Sequence, residues 1–245
     1  MSIILLFLAA VLAEPVDVIS LEKEFNRIEV YGGTLYLAPF IGKSIFKFTE
    51  LKNLTAISFT DDVNYRIYNF LITPFAIYLN NGKSIEKFYR AHGVKEIIYR
   101  SQDITTFVVT PSEEVIFTDR MKRELIFLDF TNNIKFKEFD MQIKDLQIID
   151  NTIYALTNNS IILFDEYGNV NTTRQIPEKC DRILVDSAAI FLFSSNKEYC
   201  YELNSDVKKI EYPHNIRDMC MHDGFIVILD GSGTRLYFYN RSHID

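Results

Sequence analysis

One short pattern recurs along the whole chain and constrains its fold more than any other feature. It is an apolar run with an aromatic residue at its centre, and successive centres lie 36 to 42 residues apart. The six copies are Leu35-Tyr36-Leu37, Ile77-Tyr78-Leu79, Ile116-Phe117-Thr118, Ile153-Tyr154-Ala155, Ile190-Phe191-Leu192 and Ile226-Val227-Ile228. Only the sixth copy replaces the aromatic residue, with valine. A fixed period of this length is typical of solenoids and propellers, in which each repeat is one supersecondary unit.

Each copy is flanked by further stretches that alternate between apolar and polar residues. A preceding run begins at Ile28, Ile67, Ile104, Leu146, Ile183 and Met219. A following run begins at Ser44, Ser84, Glu124, Ser160, Glu198 and Arg235. A fourth stretch lies between units, at 54–60, 95–100, 134–139, 171–176 and 207–212. Alternation with period two, bounded by Gly, Asn and Asp turns, predicts short strands.

Four short strands in about 38 residues, repeated six times, predict an all-β fold, a six-bladed β-propeller of four antiparallel strands per blade. The last unit ends at Tyr239, and 240–245 is too short for an outer strand. A spare strand, 16–21, precedes the first unit. Because an open ring would leave strand edges unpaired, we expect this N-terminal strand to close the last blade.

The blade pattern resembles that of six-bladed propellers of the NHL and TolB-like kind. Their blades read as an apolar strand, an Ile-Tyr-type strand, a polar turn and an Ile-x-x-Phe strand that ends in Asp or Gly. Residues 151–168 match best, with Ile153-Tyr154, then Ile161-Ile162-Leu163-Phe164 and Asp165. The resemblance covers nearly all of the chain after residue 13, and it implies that ligands enter at the mouth of the central channel. Tryptophan is absent, which disfavours quinoprotein and WD-type propellers and a quinone cofactor.

Residues 3–13 form an unbroken apolar run that Glu14-Pro15 ends. A membrane-spanning helix needs roughly 20 such residues, so this run is too short. Val11 and Ala13 occupy the small-residue positions before a signal cut. We therefore predict a signal peptide at 1–13, a single propeller domain at 14–245 without a stable transmembrane segment, and a periplasmic or secreted location. An uncleaved anchor and a buried first strand are the alternatives.

Charge and reactive residues exclude several function classes. The formal charge of −7 argues against a nucleic-acid partner, because phosphate contacts need concentrated Lys and Arg. Cys180, Cys200 and Cys220 lack zinc-type spacing and form no closed disulfide framework, so we expect buried thiols. The four histidines are scattered, and the chain has neither a G-x-S-x-G elbow nor a P-loop. We therefore predict no catalytic residue and no cofactor.

Basic residues stand at or just before most of the predicted inner strands, where the channel opens. We predict that five of them bind an anionic ligand: Arg27, Arg66, Lys144, Arg182 and Arg217. Guanidinium groups suit carboxylates and phosphates, and turns of the same face add further bases such as Lys83 and Arg120. Alternatively, neighbouring blades exchange salt bridges here, because each of these arginines has an acid nearby in the sequence.

The sequence thus favours a monomeric, non-enzymatic binding or scaffold module that contacts a protein partner or a small anionic ligand through its loop faces. The alternative is a calcium-dependent hydrolase of the lactonase type, with a metal site at the channel mouth. Calcium needs six to eight oxygen ligands. The residues that would supply them are Glu29, Asn69, Asp103, Asp145, Asp181 and Asp218. A third alternative is a structural module within a larger envelope assembly.

Overall fold

The computed structural model describes residues 10–49, 53–120, 123–129, 131, 133–139 and 141–241. These residues form 24 β-strands and contain no α-helix, so the predicted all-β class is confirmed. A search of the described residues finds no helix that is long and apolar enough to cross a membrane. Residues 1–9 of the predicted signal lie outside the described part.

The chain starts with two short strands, β1 (Ala10–Leu12) and β2 (Asp17–Ser20), and continues into four separate four-stranded sheets. Sheet 1 contains β3 (Arg27–Tyr31), β4 (Thr34–Ala38), β5 (Ser44–Phe48) and β6 (Leu54–Ser58). Sheet 2 contains β7 (Asn69–Ile72), β8 (Ala76–Asn80), β9 (Ser84–Tyr89) and β10 (Lys95–Arg100). Sheet 3 contains β11 (Ile104–Val109), β12 (Val115–Asp119), β13 (Glu124–Leu128) and β14 (Ile134–Glu138). Sheet 4 contains β15 (Asp145–Ile149), β16 (Thr152–Leu156), β17 (Ser160–Phe164) and β18 (Val170–Gln175).

The last two sequence repeats share one eight-stranded sheet instead of forming two separate blades. Its strands are β19 (Arg182–Val185), β20 (Ile190–Phe193), β21 (Lys197–Leu203), β22 (Val207–His222), β23 (Phe225–Asp230) and β24 (Arg235–Asn240), together with β2 and β1. Ile216 in β22 pairs with Lys197 on one side and with Asp230 on the other. The prediction of six separate four-stranded blades therefore differs from the structure, because β22 stays extended across the boundary and joins both repeats.

The N-terminal strand closes the far end of this sheet. β2 pairs antiparallel with β24, with Val18 opposite Tyr237 and Ile19 opposite Leu236. Ile19 is buried, so the added strand contributes to the core as well as to the ladder. The predicted pairing of the N-terminal strand with the last strand is confirmed, and it removes an edge that would otherwise be open.

The first strands of the repeats surround the centre of the molecule. β3 lies beside β7, β7 beside β11, β11 beside β15 and β15 beside β19, and β22 returns to β3. The second strands carry the centres of the repeated pattern, and Tyr36, Tyr78, Phe117, Phe191 and Val227 are all buried. Since a buried aliphatic or aromatic side chain stabilises the fold by about 1.5–3 kcal/mol, the recurring pattern supplies much of the packing between sheets.

Burial also accounts for the cysteines. Cys180, Cys200 and Cys220 are buried and unpaired, as the sequence predicted. Burial raises the pKa of both the Cys180 and the Cys200 thiol to about 12. Because the thiolate is the reactive form, these side chains are inert parts of the core.

Candidate functional site

The loops that lead into the inner strands lie on one face of the molecule, together with the turns between the second and third strands of each sheet. We call it the front face. Backbone contacts hold these segments together: Ile41 bridges with Arg66, and the Arg120 N–H donates to the Asp103 carbonyl at 3.1 Å. All five basic residues predicted to bind an anion lie at this face, but the structure uses them in different ways.

Asp145, the first residue of β15, is buried and ties three inner strands together. Its Oδ2 accepts hydrogen bonds from Arg182 Nε at 2.9 Å and from the Ile183 N–H at 3.1 Å. Its Oδ1 accepts a hydrogen bond from the Thr106 hydroxyl at 3.0 Å. Burial raises the pKa of Asp145 to about 7, although these donors favour the charged form.

Asp218 in β22 likewise connects inner strands, at the point where the last inner strand meets the first. Its Oδ2 accepts the Ile28 N–H at 3.0 Å. Its Oδ1 lies 3.2 Å from Arg182 Nη2 and 3.8 Å from Arg27 Nη1. Burial raises the pKa of Asp218 to about 6, against the effect of Arg27. Arg182 therefore bridges two aspartates, and ion pairs between repeats engage both arginines.

Lys144 and Arg217 are also engaged within the protein. Lys144 Nζ donates to the Cys180 carbonyl at 2.8 Å and lies 3.0 Å from Asp181 Oδ1. Arg217 donates to the Gly231 carbonyl through Nε at 3.0 Å and Nη2 at 2.6 Å. Four of the five predicted anion-binding residues thus have internal partners, which is the alternative that the sequence left open.

Glu29 in β3 lies near the two aspartates and carries the largest pKa shift of the three carboxyl groups. Burial, then the charges of Asp218 and Asp145, raise the pKa of Glu29 to about 8. The carboxyl group is therefore mostly protonated at neutral pH. Glu29 is therefore an uncharged group beside the charged side chains of Asp145 and Asp218.

Five of the six oxygen-bearing residues of the calcium alternative have their oxygens engaged by other groups of the protein. The carboxylates of Asp145 and Asp218 bind guanidinium groups, and those of Asp103 and Asp181 form ion pairs on the rim. The Asn69 amide oxygen accepts the N–H of the following residue at 2.9 Å. No group of three or more His, Cys, Asp or Glu is placed to hold a metal ion in the part of the chain that the structure describes.

A cleft of about 800 Å³ opens on the front face between sheets 2 and 3, and we call it the front cleft. Arg66, Lys83 and Arg120 line it together with Asp62 and Asp103. Arg120 Nε lies 3.5 Å from Asp103 Oδ2. Arg66 and Lys83 are exposed, and neither side chain forms an ion pair or hydrogen bond with a residue that the structure describes. These two cations are available to a ligand.

The turn that carries Lys83 is held rigid by its own asparagines. Asn80 Oδ1 accepts the Gly82 N–H at 2.7 Å, and Asn81 Oδ1 accepts the Lys83 N–H at 2.9 Å. Asn80 Nδ2 also donates to the Ile104 carbonyl at 3.2 Å, which anchors the turn to sheet 3. Asparagine favours such turns because its side chain bonds to the backbone two residues further on. The local sequence thus positions one wall of the front cleft.

Tyr68 forms an aromatic wall of the cleft and contacts the same turn. Gly82 has a φ of +86°, and a Cβ atom there would lie 2.9 Å from the Tyr68 ring. The ring also packs edge-to-face with Phe40, with ring centroids 5.2 Å apart. The Tyr68 carbonyl accepts Arg27 Nε at 2.7 Å. Tyr68 is therefore held in place by Arg27, which is one of the charged residues at the channel.

Thr105 contributes a polar group that lacks a partner. Its hydroxyl oxygen is buried and forms no hydrogen bond with the described residues, and Thr105 lines the front cleft. Buried polar groups in folded proteins nearly always have a hydrogen-bond partner, either protein or water. The Thr105 hydroxyl is thus an internal polar group beside the cleft, because its oxygen is closed off from solvent.

Sequence reasoning found some of these residues and missed others. It selected Arg66 and noted the bases Lys83 and Arg120 in turns of the same face. It did not select Tyr68 or Thr105. The only signal for Thr105 is a pair of threonines in an otherwise apolar strand, and Tyr68 is one of 14 tyrosines in the chain.

No protein-family model and no curated protein matches this chain. Solved structures do resemble it. One is virginiamycin B lyase from Staphylococcus aureus, 12% identical, covering 89% of this chain and 86% of the lyase with a TM-score of 0.64. Another is the WD40 domain of Neurospora crassa Pan2, at 11% identity, with 94% and 97% covered and a TM-score of 0.65.

A third similar structure is an auxiliary nutrient binding protein from Bacteroides thetaiotaomicron. It is 11% identical, 89% of this chain and 69% of that protein are covered, and the TM-score is 0.69. At such identities the likeness establishes the propeller-like fold and nothing finer. The similar proteins include an enzyme and binding modules, so function has to be argued from the residues of this chain.

Proposed function

We propose that this chain is a binding propeller that holds a small anionic ligand in the front cleft. The observation that carries the proposal is Arg66, whose guanidinium group is exposed in the cleft without an internal partner among the described residues. The other four basic residues of the predicted set already bind protein oxygens. A cation left unpaired beside a second one, Lys83, is suited to a carboxylate or phosphate.

The remaining groups of the cleft define the ligand further. The lining has three basic and two acidic side chains, because Asp62 and Asp103 accompany Arg66, Lys83 and Arg120. With this net charge of +1, a ligand with one or two negative charges fits better than a polyanion. The exposed side of Tyr68 can pack on an apolar or planar part of the ligand. The volume lies within the roughly 300–1,000 Å³ that small-molecule sites occupy. The ligand is therefore a small molecule with an anionic end and a less polar body.

We favour this function over the calcium-dependent hydrolase because four of the carboxylates that a calcium ion would need already pair with basic side chains. A calcium ion would also meet the guanidinium groups of Arg27 and Arg182 beside Asp218. No catalytic residue is proposed. A protein partner that presents an acidic side chain to the same cleft would meet the same two cations.

We also propose that the propeller has six blades of the NHL and TolB-like kind. In this interpretation the eight-stranded sheet is two blades joined through β22, one built from β19–β21 and 207–212 and the other from 216–222, β23, β24 and β2. Core residues of both halves pack together, including Phe191 and Ile210 from the first and Ile226 and Ile228 from the second. Such packing between halves is what two neighbouring blades require.

We further propose that the protein is exported to the periplasm or secreted, with residues 1–13 removed as a signal peptide, and that it acts as a monomer. The support is the apolar run at 3–13 with small residues before Glu14. Mass spectrometry of the exported protein tests it. A mature N-terminus at Glu14 supports the proposal, and a retained Met1 overturns it.

The binding proposal is tested by titrating the protein with citrate and with glucose 6-phosphate in isothermal calorimetry. Arg66→Gln and Lys83→Gln remove one cleft cation each. A hydrogen bond to a charged group is worth about 1.5–3 kcal/mol, so each variant should weaken binding by roughly 10- to 100-fold. Lys179→Gln, which changes an exposed lysine outside the cleft lining, is the matched control.

The outcome separates a specific site from general attraction of anions. Equal weakening by Lys179→Gln would show that only net charge matters, and would overturn the cleft as the site. Absence of binding for both anions at millimolar concentration would overturn a small anionic ligand and direct the search to acidic proteins.

A further inference from the structure

The outer edge of β22 differs from the other outer edges of the molecule. The outer strands β6, β10, β14 and β18 each pair with one neighbour only within the described residues. The first part of β22 pairs with β21 and carries a second neighbour as well, because β1 runs parallel to it with Ala10 opposite Lys209, Val11 opposite Ile210 and Leu12 opposite Glu211. Residues 209–211 of this outer edge therefore pair with an added strand.

The backbone of Glu211 faces β1. Its carbonyl accepts the N–H of Ala13 at 2.9 Å. Ile210, the preceding residue, is opposite Cys200 of β21. Adjacent residues of a strand direct their N–H and C=O groups to opposite sides, so bonding to β1 and bonding to β21 use different residues of β22.

Side-chain packing adds selectivity to this edge. Ala13 is buried and belongs to the same apolar cluster as Phe191, Ile210 and Tyr212. Leu12, one residue earlier, is mostly exposed. The edge therefore has a socket for a small side chain at one position and tolerates a large one at the neighbouring position.

Removal of residues 1–13, which is part of the proposed function, takes away both β1 and Ala13. The stretch 209–211 then has unpaired backbone groups beside an empty socket. An exposed edge of this kind pairs readily with another extended chain. Lys209 and Glu211 on the edge form an ion pair at 2.8 Å with each other, so they present no net charge to an incoming strand.

We propose that the mature protein uses the β22 edge at 209–211 as a docking site for an extended segment of a partner protein. The segment adds parallel to β22 and places a small residue in the socket that Ala13 fills in the uncut chain. Backbone hydrogen bonds supply the affinity and the socket supplies the specificity, as in other cases of strand addition. In the uncut chain the N-terminal segment blocks the site.

The probe is a synthetic peptide of residues 8–15 with two added C-terminal lysines for solubility. It is titrated into the chain from Glu14 onward, which keeps every strand except β1, and into the full chain. We expect saturable binding to the shortened chain, binding at least tenfold weaker to the full chain, and slowed hydrogen exchange at the Glu211 amide.

Two variants keep the test decisive. A peptide with the Ala13→Arg change has the same backbone but does not fit the socket, so its affinity should fall at least tenfold without any change to the protein. In the shortened chain, Glu211→Pro removes the N–H of the residue that faces the added strand and should abolish binding.

No binding to the shortened chain, or equal affinity for both peptides, overturns the proposal. The Arg66→Gln variant should bind the peptide normally, so failure here and failure of the front cleft are distinguishable.

Discussion

The Asp218 carboxylate accepts the backbone N–H of Ile28 at 3.0 Å, which joins the last inner strand to the first across 190 residues of chain. Asp145 makes the corresponding contact with Ile183 one repeat further on, at 3.1 Å. In both cases the aspartate carboxylate also forms an ion pair with Arg182. The charges at the channel mouth therefore close the ring of strands, and this role explains why Arg27 and Arg182 are unavailable to a ligand.

Replacing Asp218 should destabilise the whole ring. Asp218→Ala leaves the buried Ile28 N–H without its acceptor and leaves Arg182 with Asp145 as its one remaining carboxylate partner among the described residues. Breaking a buried pair in this way costs about 3–5 kcal/mol. For a domain of this size the melting temperature should fall by roughly 6–20 °C. Thermal unfolding at pH 8 measures it. Asp181→Ala, which removes an exposed partner of Lys144, is the control and should change stability by less than about 1 kcal/mol.

Gly82 should matter both for stability and for the front cleft. Gly82→Ala adds a Cβ atom at a left-handed φ and against the Tyr68 ring, so it should destabilise the protein by about 1–3 kcal/mol and weaken anion binding. Gly224 has a φ of +80° but no atom near its missing Cβ. Gly224→Ala therefore isolates the backbone cost. Equal losses of stability and unchanged binding in both variants would contradict the role of Tyr68 as a cleft wall.

Stability should fall as the pH rises from about 4 to about 8. The pKa of Glu29 is raised to about 8 in the folded protein, so its contribution is complete below the ordinary pKa of 4.5 and is lost as the pH passes through the raised value. The raised pKa values of Asp145 and Asp218 act in the same direction. Denaturant unfolding across this range measures the slope, and each pKa unit corresponds to about 1.4 kcal/mol.

Glu29→Gln, which mimics the protonated carboxyl group, should flatten that pH dependence. The variant should match the wild type near pH 4 and exceed its stability at pH 8. A variant with the same slope as the wild type would show that Glu29 is not the group responsible.

Calcium should leave the melting temperature unchanged. Four of the carboxylates that a calcium site would need, Asp103, Asp145, Asp181 and Asp218, are paired with arginine or lysine side chains, so excess calcium and EDTA should give the same transition. A ligand at a hundred times its dissociation constant adds about 2.7 kcal/mol, which for this domain is a shift of roughly 5–10 °C. A shift of that size, reversed by EDTA, would restore the hydrolase alternative.

The strands of the repeats could be located from alternation alone. The fourth stretch of the second repeat, 95–100, coincides with β10, and the spare N-terminal strand pairs with β24 as expected. These predictions succeed because burial of every second side chain imposes a period of two, whatever the tertiary context. The boundary between the last two repeats was not predictable, because Pro213 suggests a break whereas β22 continues through it.

The candidate site was predicted only in part, for a different physical reason. Arg66 and Arg182 stand at similar places in their repeats, and composition does not distinguish them. Arg182 forms ion pairs with Asp145 and Asp218, which come from other strands of the ring, whereas Arg66 forms no ion pair with any carboxylate that the structure describes. Tyr68 and Thr105 became recognisable as cleft residues only once their neighbours in space were known.

The sequence by itself determined the class of fold, the strands and the closure by the N-terminal segment, since local alternation and turn residues carry that information. The tertiary structure alone decided which charges are neutralised, where the cleft opens and which edge of the sheet takes an added strand. Those properties depend on distances between side chains from different repeats, and the sum of local preferences along the chain does not contain them.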